Sequence, residues 1–571
     1  MELTLNFAEM RRFALLAALM AVGYLLVRAW NDDFSQRLPP APASTSAPAA
    51  VGAAPVAGPS PAVDVPVVAG AKSEVPVLAG PATPSSTSGS SVLVEVVTDT
   101  LHVWIDTNGD VIKATLPRYP LGLERKDLPT VLLDSDSRHI YVAESGLIGA
   151  NGPDARPTGR PAYRAAATHY ALEPGRNELV VPLAFVDEAG VRYTKTYRFQ
   201  RGRYELQLEV KVDNASASNW QGNMFVQLKR DGTTPEGGES GSALGPKPFL
   251  GIALTTAQSP YQKVAFKDVK AGQIDQPVTG GWIAILQHYF LVSWIAQPGT
   301  KNQYFGREGR DGTYLVGFTG SMLTVPAQHQ ASANASLYMG PKVQSRLAAA
   351  APNLELTVDY GVLWVIASPL FKMLNGLHGW FNNWGAAIIG LTVLVKLVLY
   401  PLSAYSYRSM ARMRDVTPEM KRIQERYAGD REKLSREMMD LYRREKVNPL
   451  GGCLPMLVQM PVFLSLYWVL YESVELRQAP FIAWIVDLSI KDPYFVLPLL
   501  MGGVMYVQQF LNPPMPDPMQ ARMMKMMPVI FTVMFAFFPA GLVLYWLVNN
   551  FLSFLQQWWV TRQVTRARAR A

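Results

Sequence analysis

Cysteine is almost absent from this sequence, which has 571 residues and only one cysteine, Cys453. A single cysteine excludes an intramolecular disulfide. The chain also lacks the CxxC, HExxH and phosphate-binding-loop patterns, and it has only six histidines. The sequence therefore predicts no metal site, no nucleotide site and no cofactor. We interpret Cys453 as a small packing residue rather than a redox centre.

Acidic residues are outnumbered by basic ones, which gives a net charge of +8. An excess of this size is compatible with nucleic-acid binding, but the basic residues gather in loops beside apolar segments. That distribution is typical of the cytoplasmic loops of membrane proteins. We therefore expect no sequence-specific nucleic-acid partner, although a secondary contact with ribosomal RNA stays open.

Apolar residues make up 49% of the chain and are clustered in runs. The first run, Phe13–Val27, is short enough for a signal peptide, but no small-x-small cleavage site follows it. We predict that residues 1–30 form an uncleaved membrane anchor with its N-terminus in the cytoplasm. Residues 31–91 are rich in Pro, Ala, Ser and Val and bury too little apolar surface to fold, so they predict a flexible tether.

Short alternating strands begin at residue 92. The segments Leu101–Asp106 and Val111–Leu116, joined by the Asn-Gly turn at 107–110, predict a β-hairpin. Residues 92–342 are expected to form a large antiparallel β-sandwich in the periplasm. Its histidines are scattered without triad or metal-ligand spacing. The further candidate strands are Leu179–Val186, Arg192–Gln200, Tyr204–Val212, Met224–Lys229, Trp282–Ile285, Phe290–Ala296 and Leu337–Met339.

The C-terminal part predicts a polytopic α-helical membrane protein. Residues 343–383 contain an apolar stretch with Asp359 and Pro369. If that stretch crossed the membrane, the twelve basic residues of 407–448 would face outward, against the positive-inside rule. We predict an interfacial amphipathic helix there and place the basic tail, 561–571, in the cytoplasm. With the anchor, the predicted spans number six: the other five are Trp384–Ala404, Leu454–Tyr471, Tyr494–Phe510, Met526–Phe538 and Leu542–Trp559.

Lys396 is the single cation within the apolar run 386–400. A lone charge at the bilayer centre costs roughly 2.5–3.5 kcal/mol and marks a functional cavity by default. Snorkelling to the headgroups is the alternative, but Arg408 marks the interface only after about 15 Å of helix, which is beyond a lysine stem. We favour a water-accessible cavity. Polar residues in the neighbouring spans are compatible with a water-filled groove, and those near span ends are equally compatible with the membrane interface. They are Gln459, Gln508–Gln509, Asn549–Asn550 and Gln556–Gln557.

Residues 407–448 predict an antiparallel helical hairpin, because apolar residues recur at helical spacing on both sides of Gly429–Asp430. An inert solvated connector and a docking surface for nascent chains or ribosomes both remain open for this segment. The methionine-rich segment 515–528 is more typical of packing than of adaptable substrate contact.

Four contiguous motifs resemble the YidC family of membrane protein insertases: Asn448–Phe463, Val474–Pro480, Asp517–Gln520 and Pro539–Trp546. The resemblance implies a five-helix core, residues 384–560, around a hydrophilic groove open to the cytoplasm and lipid. Lys396 occupies the position of a groove cation that is usually arginine. The positive charge is kept, but the planar guanidinium that can donate two parallel hydrogen bonds is lost. By the same resemblance, Thr392, Tyr545 and Trp546 contact the substrate helix, with Gln459 in the groove.

The resemblance further implies that the hairpin captures substrates or contacts the targeting machinery, and we expect Met420, Arg426, Tyr427, Met438 and Arg443 to take part. The implied function is the insertion and chaperoning of nascent inner-membrane proteins in bacteria. The partners would be the ribosome, the lipid bilayer and the Sec translocon, and no enzymatic activity is expected.

Two other function classes are compatible with parts of the sequence. A transporter with Lys396 as counter-ion predicts internal repeats and a polar path open at both faces. An envelope enzyme acting on carbohydrate predicts paired acid and base residues in the sandwich.

Overall fold

The computed structural model describes Pro66 and residues 92–136, 139–157, 159–233, 248–269, 274–309, 311–427, 429–445, 447, 454–512 and 518–569. The predicted anchor, nearly all of the tether and Cys453 lie outside these residues. The described chain divides into a β unit, formed by residues up to 358 with 473–475, and a helical unit, formed by 359–472 and 476 onward.

The β unit contains two sheets. The first has the strand order β14-β17-β18-β11-β5-β4-β3-β2-β1-β7 and the second β13-β12-β15-β16-β19-β10-β9-β8-β6. The strands are β1 (Val92–Val97), β2 (His102–Asp106), β3 (Val111–Pro120), β4 (Pro129–Ser135), β5 (Ile140–Ile148), β6 (Arg164–Ala165), β7 (His169–Ala171), β8 (Glu178–Val186), β9 (Val191–Gln200), β10 (Glu205–Asn214), β11 (Trp220–Arg230), β12 (Gly251–Leu254), β13 (Gln262–Val264), β14 (Asp275–Thr279), β15 (Trp282–Leu286), β16 (Phe290–Ala296), β17 (Lys301–Glu308), β18 (Tyr314–Val325) and β19 (His329–Pro341).

Alternation of side chains explains how each strand contributes to the core. In β9, Tyr193, Tyr197 and Phe199 are at most 1% exposed, while the alternate residues Thr194, Thr196 and Arg198 are half-buried on the other face. The two sheets are joined by a buried hydrogen bond, in which Trp294 Nε1 of the second sheet donates to the Gln227 carbonyl of the first at 3.1 Å. This arrangement confirms the predicted sandwich.

The predicted hairpin is also present, since β2 and β3 pair in antiparallel orientation. Its turn needs Gly109, which adopts a φ of +71°. The strand pairings among the described residues are antiparallel, as predicted, except at one edge, where β1 and β7 pair in parallel over three residues. A strand that returns to the sheet edge after a long excursion is free to pair in either direction, and local sequence carries no signal for that choice.

The helices are α1 (Phe266–Val269), α2 (Gln344–Ala350), α3 (Trp364–Phe381), α4 (Trp384–Val398), α5 (Tyr400–Arg426), α6 (Arg431–Arg444), α7 (Leu454–Glu472), α8 (Val496–Gln509), α9 (Pro518–Phe535) and α10 (Ala540–Ala569). In the helical unit, α10 packs against α4, α5, α7 and α8, and α3 packs against α4 and α7. The long helix α10 is therefore the centre of the unit.

The segment predicted as one unbroken span, Trp384–Ala404, consists instead of α4 and the start of α5, which meet at Leu399 with a bend of 67°. Pro401 explains the break, because its ring lacks an N–H and clashes with the carbonyl of Leu397 four residues earlier. Among the described helices, none is by itself both long and apolar enough to cross a bilayer, whereas the bent pair α4–α5 meets that criterion by length and composition.

The predicted basic tail at 561–571 is not a separate segment in the structure, since α10 continues to Ala569. Alanine, arginine and glutamine are strong helix formers, and no glycine or proline interrupts the segment. The described part of the methionine-rich segment lies in α9, which runs without interruption from Pro518 to Phe535.

Candidate functional site

Lys396 lies at the meeting point of α4, α7 and α10. Its side chain is only 4% exposed. The ammonium donates to Ser553 Oγ on α10 at 2.7 Å and to Gln459 Oε1 on α7 at 3.0 Å. Because Nζ points at these two helices, Lys396 does not extend along its own helix toward the interface. The geometry contradicts the snorkelling alternative.

Asn549 connects both acceptors of the ammonium. Its side-chain oxygen accepts a hydrogen bond from Gln459 Nε2. Its backbone oxygen accepts from Ser553 Oγ at 2.7 Å. The Gln459 amide and the Ser553 hydroxyl therefore both donate to residue 549, and the oxygen of each accepts from Lys396. We call Lys396, Gln459, Asn549 and Ser553 the lysine cluster.

The lysine cluster holds a positive charge without a negative one. No carboxylate in the described part of the chain lies within ion-pair distance of Lys396. A lysine ammonium has three N–H donors, and the two neutral acceptors occupy two of them. One donor therefore remains for a further partner. A cation in this condition is a strong site for an anionic group, because burial weakens the competing hydration.

The other predicted groove residues surround this cluster in different ways. Thr392 is 1% exposed, and its hydroxyl donates to the Ile388 carbonyl of its own helix at 2.7 Å. Tyr545 is 2% exposed, and its ring stacks against Phe463 of α7 with ring centroids 6.2 Å apart. Trp546 packs against Phe463, with ring centroids 4.2 Å apart in an edge-on arrangement. The structure thus places Tyr545 and Trp546 against Phe463 of α7, the helix that also carries Gln459.

The hairpin is present as α5 and α6, with Asp430 capping α6 by accepting from the Lys433 amide. Met420 is 5% exposed and packs with Val416, Leu441 and Val447 between the two helices, with Met438 at the edge of that cluster. In this conformation Met420 stabilises the hairpin and is not available to a partner. Arg426 and Arg443 are exposed, and Tyr427 is half-buried.

A second buried cationic group occurs in the β unit. Arg160 donates to both carboxylates of Asp110 and Asp154, and Lys195 lies 3.9 Å from Asp110. The side chains of Asp110, Asp154 and Lys195 are at most 4% exposed, and each has an ion-pair partner within the group. The cluster is a closed structural network rather than the acid–base pair that an enzyme requires.

The β unit also has an open cleft of about 600 Å³ on the second sheet. Its carboxylates include Glu205 and Glu209 of β10, and Glu209 pairs with Arg198 at 3.4 Å. Four residues along a strand separate these two carboxylates by about 13 Å. Paired catalytic carboxyl groups in glycoside hydrolysis are about 5–9.5 Å apart, so this cleft does not support the carbohydrate-enzyme alternative.

Comparison with known proteins gives matches over nearly the whole chain. Residues 93–373 match the YidC periplasmic domain, and residues 376–567 match the 60Kd inner membrane protein family. A membrane protein insertase YidC of Pseudomonas putida (strain W619) is 50% identical over 567 residues, which cover 99% of this chain and 100% of the relative. This chain belongs to the YidC family of membrane protein insertases. The YidC of Pseudomonas aeruginosa PAO1 is 47% identical, with coverage of 98% and 99%.

Solved structures give weaker matches. A crystal structure of an active YidC insertase has 18% identity and a TM-score of 0.35, and the match covers 82% of this chain and 94% of that one. A galactose mutarotase-like protein from Clostridium acetobutylicum has 9% identity and a TM-score of 0.29, with coverage of 43% and 94%. Both TM-scores lie below 0.5, too low for either likeness to support a statement about function.

Membership of the YidC family decides between the classes left open by the sequence. The protein is a membrane protein insertase of the inner membrane with a periplasmic domain, and it is neither a transporter nor an enzyme. Its substrates are membrane proteins as they are made. The resemblance seen in the motifs is confirmed, while the roles of the individual residues stay predictions.

Sequence reasoning about this YidC family member missed the loop 477–495. Asn383 caps α4 by accepting from the Ala386 amide at 3.0 Å and donates to the Phe481 carbonyl of the loop at 2.9 Å. The first amide of α10, that of Ala540, donates to the Ile490 carbonyl at 2.7 Å. The loop therefore ties the start of α4 to the start of α10, and these two helices carry Lys396 and Ser553.

A second contact of this loop depends on glycine. A Cβ atom at Gly385 would overlap the ring of Phe481, so only glycine allows this close approach. A polar residue before an apolar helix and a glycine in its first turn were the available signals. They predict a cap, but they do not reveal which loop uses it.

Proposed function

We propose that this insertase uses the lysine cluster to attract acidic flanks of nascent membrane proteins. The observation that carries the proposal is the buried ammonium of Lys396, which has two neutral acceptors and one donor to spare. A substrate carboxylate next to that donor would exchange hydration for an ion pair, which lowers the barrier to moving the flank through hydrocarbon. Apolar burial of the substrate helix in lipid would supply the driving force.

The proposed membrane arrangement has six spans, with both termini in the cytoplasm and the β unit in the periplasm. The distribution of basic residues supports it, because the hairpin and the end of α10 carry dense positive charge. Under this arrangement the hairpin formed by α5 and α6 faces the cytoplasm. There it would meet ribosomes carrying nascent chains, with Arg426, Tyr427 and Arg443 as contacts, and the insertase would act alone or beside the Sec translocon.

Reversal of the charge at position 396 tests the central step. Lys396→Glu is expected to lower insertion of a single-span substrate with an acidic flank by about tenfold, the factor that corresponds to about 1.4 kcal/mol. The same substrate with a neutral flank should insert with a much smaller loss. We call the ratio of insertion with an acidic flank to insertion with a neutral flank the acid preference. Lys396→Arg keeps the charge and should retain the acid preference. The measurement is the inserted fraction in proteoliposomes containing the full chain.

The matched control is Lys491→Glu, which makes the same charge reversal at an exposed lysine in the loop before α8. It should leave the acid preference in place. If Lys396→Glu inserts acidic and neutral flanks in the same ratio as the unaltered protein, the electrostatic proposal is wrong.

Photo-crosslinking tests whether the substrate occupies this part of the insertase. Probes at positions 392 and 546 are used with ribosomes stalled on a short single-span membrane protein. Adducts are expected when the span has emerged and should fade as the chain lengthens. Absence of adducts at both positions, with folded protein present, would count against a groove at the lysine cluster.

A further inference from the structure

We infer that Asn549 is the positioning residue that sets the acid preference of the groove, because it fixes the orientation of the Gln459 amide. The inference rests on the proposed role of Lys396 and adds a residue that does not itself touch the ammonium. Gln459 Nε2 donates to the Asn549 side chain, and this leaves Gln459 Oε1 to accept from Lys396 at 3.0 Å.

The orientation of the glutamine amide matters because its two ends have opposite effects on a cation. The carbonyl end accepts a hydrogen bond from the ammonium, whereas the NH₂ end presents two further donors to it. Gln459 and Asn549 lie on different helices, α7 and α10. The backbone around one residue therefore does not fix the side chain of the other. The Asn549 side-chain oxygen is the group that holds the NH₂ end of Gln459 away from Lys396.

The second acceptor of the ammonium does not depend on the Asn549 side chain. The Ser553 hydroxyl donates to the backbone carbonyl of residue 549, four residues earlier on α10, and that carbonyl persists after any substitution. A change at position 549 therefore disturbs Gln459 selectively. The ammonium would keep Ser553 and meet the wrong end of the glutamine, so its free donor would no longer be aimed consistently at a substrate carboxylate.

The test compares two substrates that differ only by Asp or Asn in the translocated flank, inserted by the full chain in proteoliposomes. Asn549→Leu keeps the size of the side chain and removes its acceptor. The ratio of Asp-flank to Asn-flank insertion should fall by roughly fivefold, the factor expected when one ordinary hydrogen bond is lost. An unchanged ratio would overturn the inference.

Asn550→Leu is the matched control, because it makes the same change one residue further along α10. The Asn550 Nδ2 atom makes no hydrogen bond to Gln459 or Lys396. The control should keep the ratio, and a fall as large as that of Asn549→Leu would overturn the inference. If Asn549→Leu yields too little folded protein, Asn549→Ala removes the same acceptor without added bulk.

A double variant distinguishes orientation of Gln459 from a merely structural role of Asn549. In a Gln459→Met background there is no amide to orient, so Asn549→Leu should cause no further change in the ratio. A further fall in that background would show that Asn549 acts by another route and would overturn the inference.

Lys396→Gln, measured alongside, separates this inference from the proposed function. If Lys396→Gln abolishes the acid preference and Asn549→Leu does not, the role of Asn549 is wrong and that of Lys396 stands. If Lys396→Gln leaves the preference unchanged, the proposed function itself is wrong.

Discussion

Two buried lysines, one in each unit, have opposite surroundings. Lys195 in the β unit is 0% exposed and Lys396 in the helical unit is 4% exposed. Lys195 donates to the carbonyls of Asn108 and Ser145, both at 2.8 Å, with the Asp110 carboxylate 3.9 Å away. Lys396 has only neutral side-chain acceptors among the described residues. Two lysines of similar burial therefore differ in compensation: Lys195 has its partners within its own unit, whereas Lys396 keeps the donor that we propose binds a substrate carboxylate.

The largest effect on stability should follow from removing the cation that pairs with two buried carboxylates in the β unit. Arg160→Met leaves the buried carboxylates of Asp110 and Asp154 without their main partner, and we expect a loss of about 3–5 kcal/mol in the free energy of unfolding. Urea unfolding of the purified full chain, followed by circular dichroism of the β-sheet signal, measures it. Arg176→Met, at an arginine 73% exposed beside Glu173, should change that free energy by less than about 0.5 kcal/mol.

Lys195→Met should have a smaller effect of the same sign. The Asn108 carbonyl in the β2–β3 turn loses its partner, whereas the Ser145 carbonyl still accepts from Arg160 at 2.8 Å. One buried carbonyl without a partner costs about 1–3 kcal/mol. The same unfolding measurement applies, and a variant as stable as the unaltered chain would show that the turn does not need the lysine.

Gln459→Glu should make Lys396 resemble Lys195 by giving it an internal carboxylate. The new group would stand about where the Gln459 oxygen now accepts from the ammonium and would compete with the acidic flank of a substrate. We expect the acid preference of insertion to fall by about tenfold, as for the loss of an interaction of about 1.4 kcal/mol. The matched control is Gln508→Glu on α8, whose amide donates to Gln557 rather than contacting Lys396. Retained acid preference in Gln459→Glu would contradict the comparison.

The smallest effect on stability is expected for Lys396→Met. Removing an uncompensated buried cation relieves its desolvation, which offsets the two hydrogen bonds that are lost, so the net change should stay within about 1 kcal/mol. Thermal unfolding of the purified chain in detergent measures it. A loss of more than about 3 kcal/mol would mean that Lys396 maintains the fold in the way that Lys195 does.

Local sequence signals were enough for several parts of the fold. The Asn-Gly turn and alternating strands predicted the β2–β3 hairpin, and helical spacing around Gly429–Asp430 predicted α5 and α6. Sheet order was out of reach, because pairs such as β11 with β18 join strands distant in sequence. The break at Leu399 did have a signal in Pro401, but the continuous apolar run dominated the interpretation.

The candidate site shows a similar division. Lys396 was detectable because a single charge in an apolar run is conspicuous without knowledge of its neighbours. The role of Asn549 was not, since it depends on α7 and α10 meeting at Gln459. Met420 was predicted as a contact residue, but it is buried in the structure. Its spacing places it on an apolar face, and only the fold shows that α6 covers that face.

A rotation of α5 about the bend at Leu399 moves residues near the bend much less than residues at the far end of the helix. The helix runs without a break from Tyr400 to Arg426, a length of about 40 Å, and it passes Tyr407, which packs with Val560 of α10. A tilt of about 10° around the bend would move Arg426 by about 7 Å but Tyr407 by only about 2 Å. A partner that pulls on the tip of the hairpin would therefore shift the contact between α5 and α10 by only a small distance.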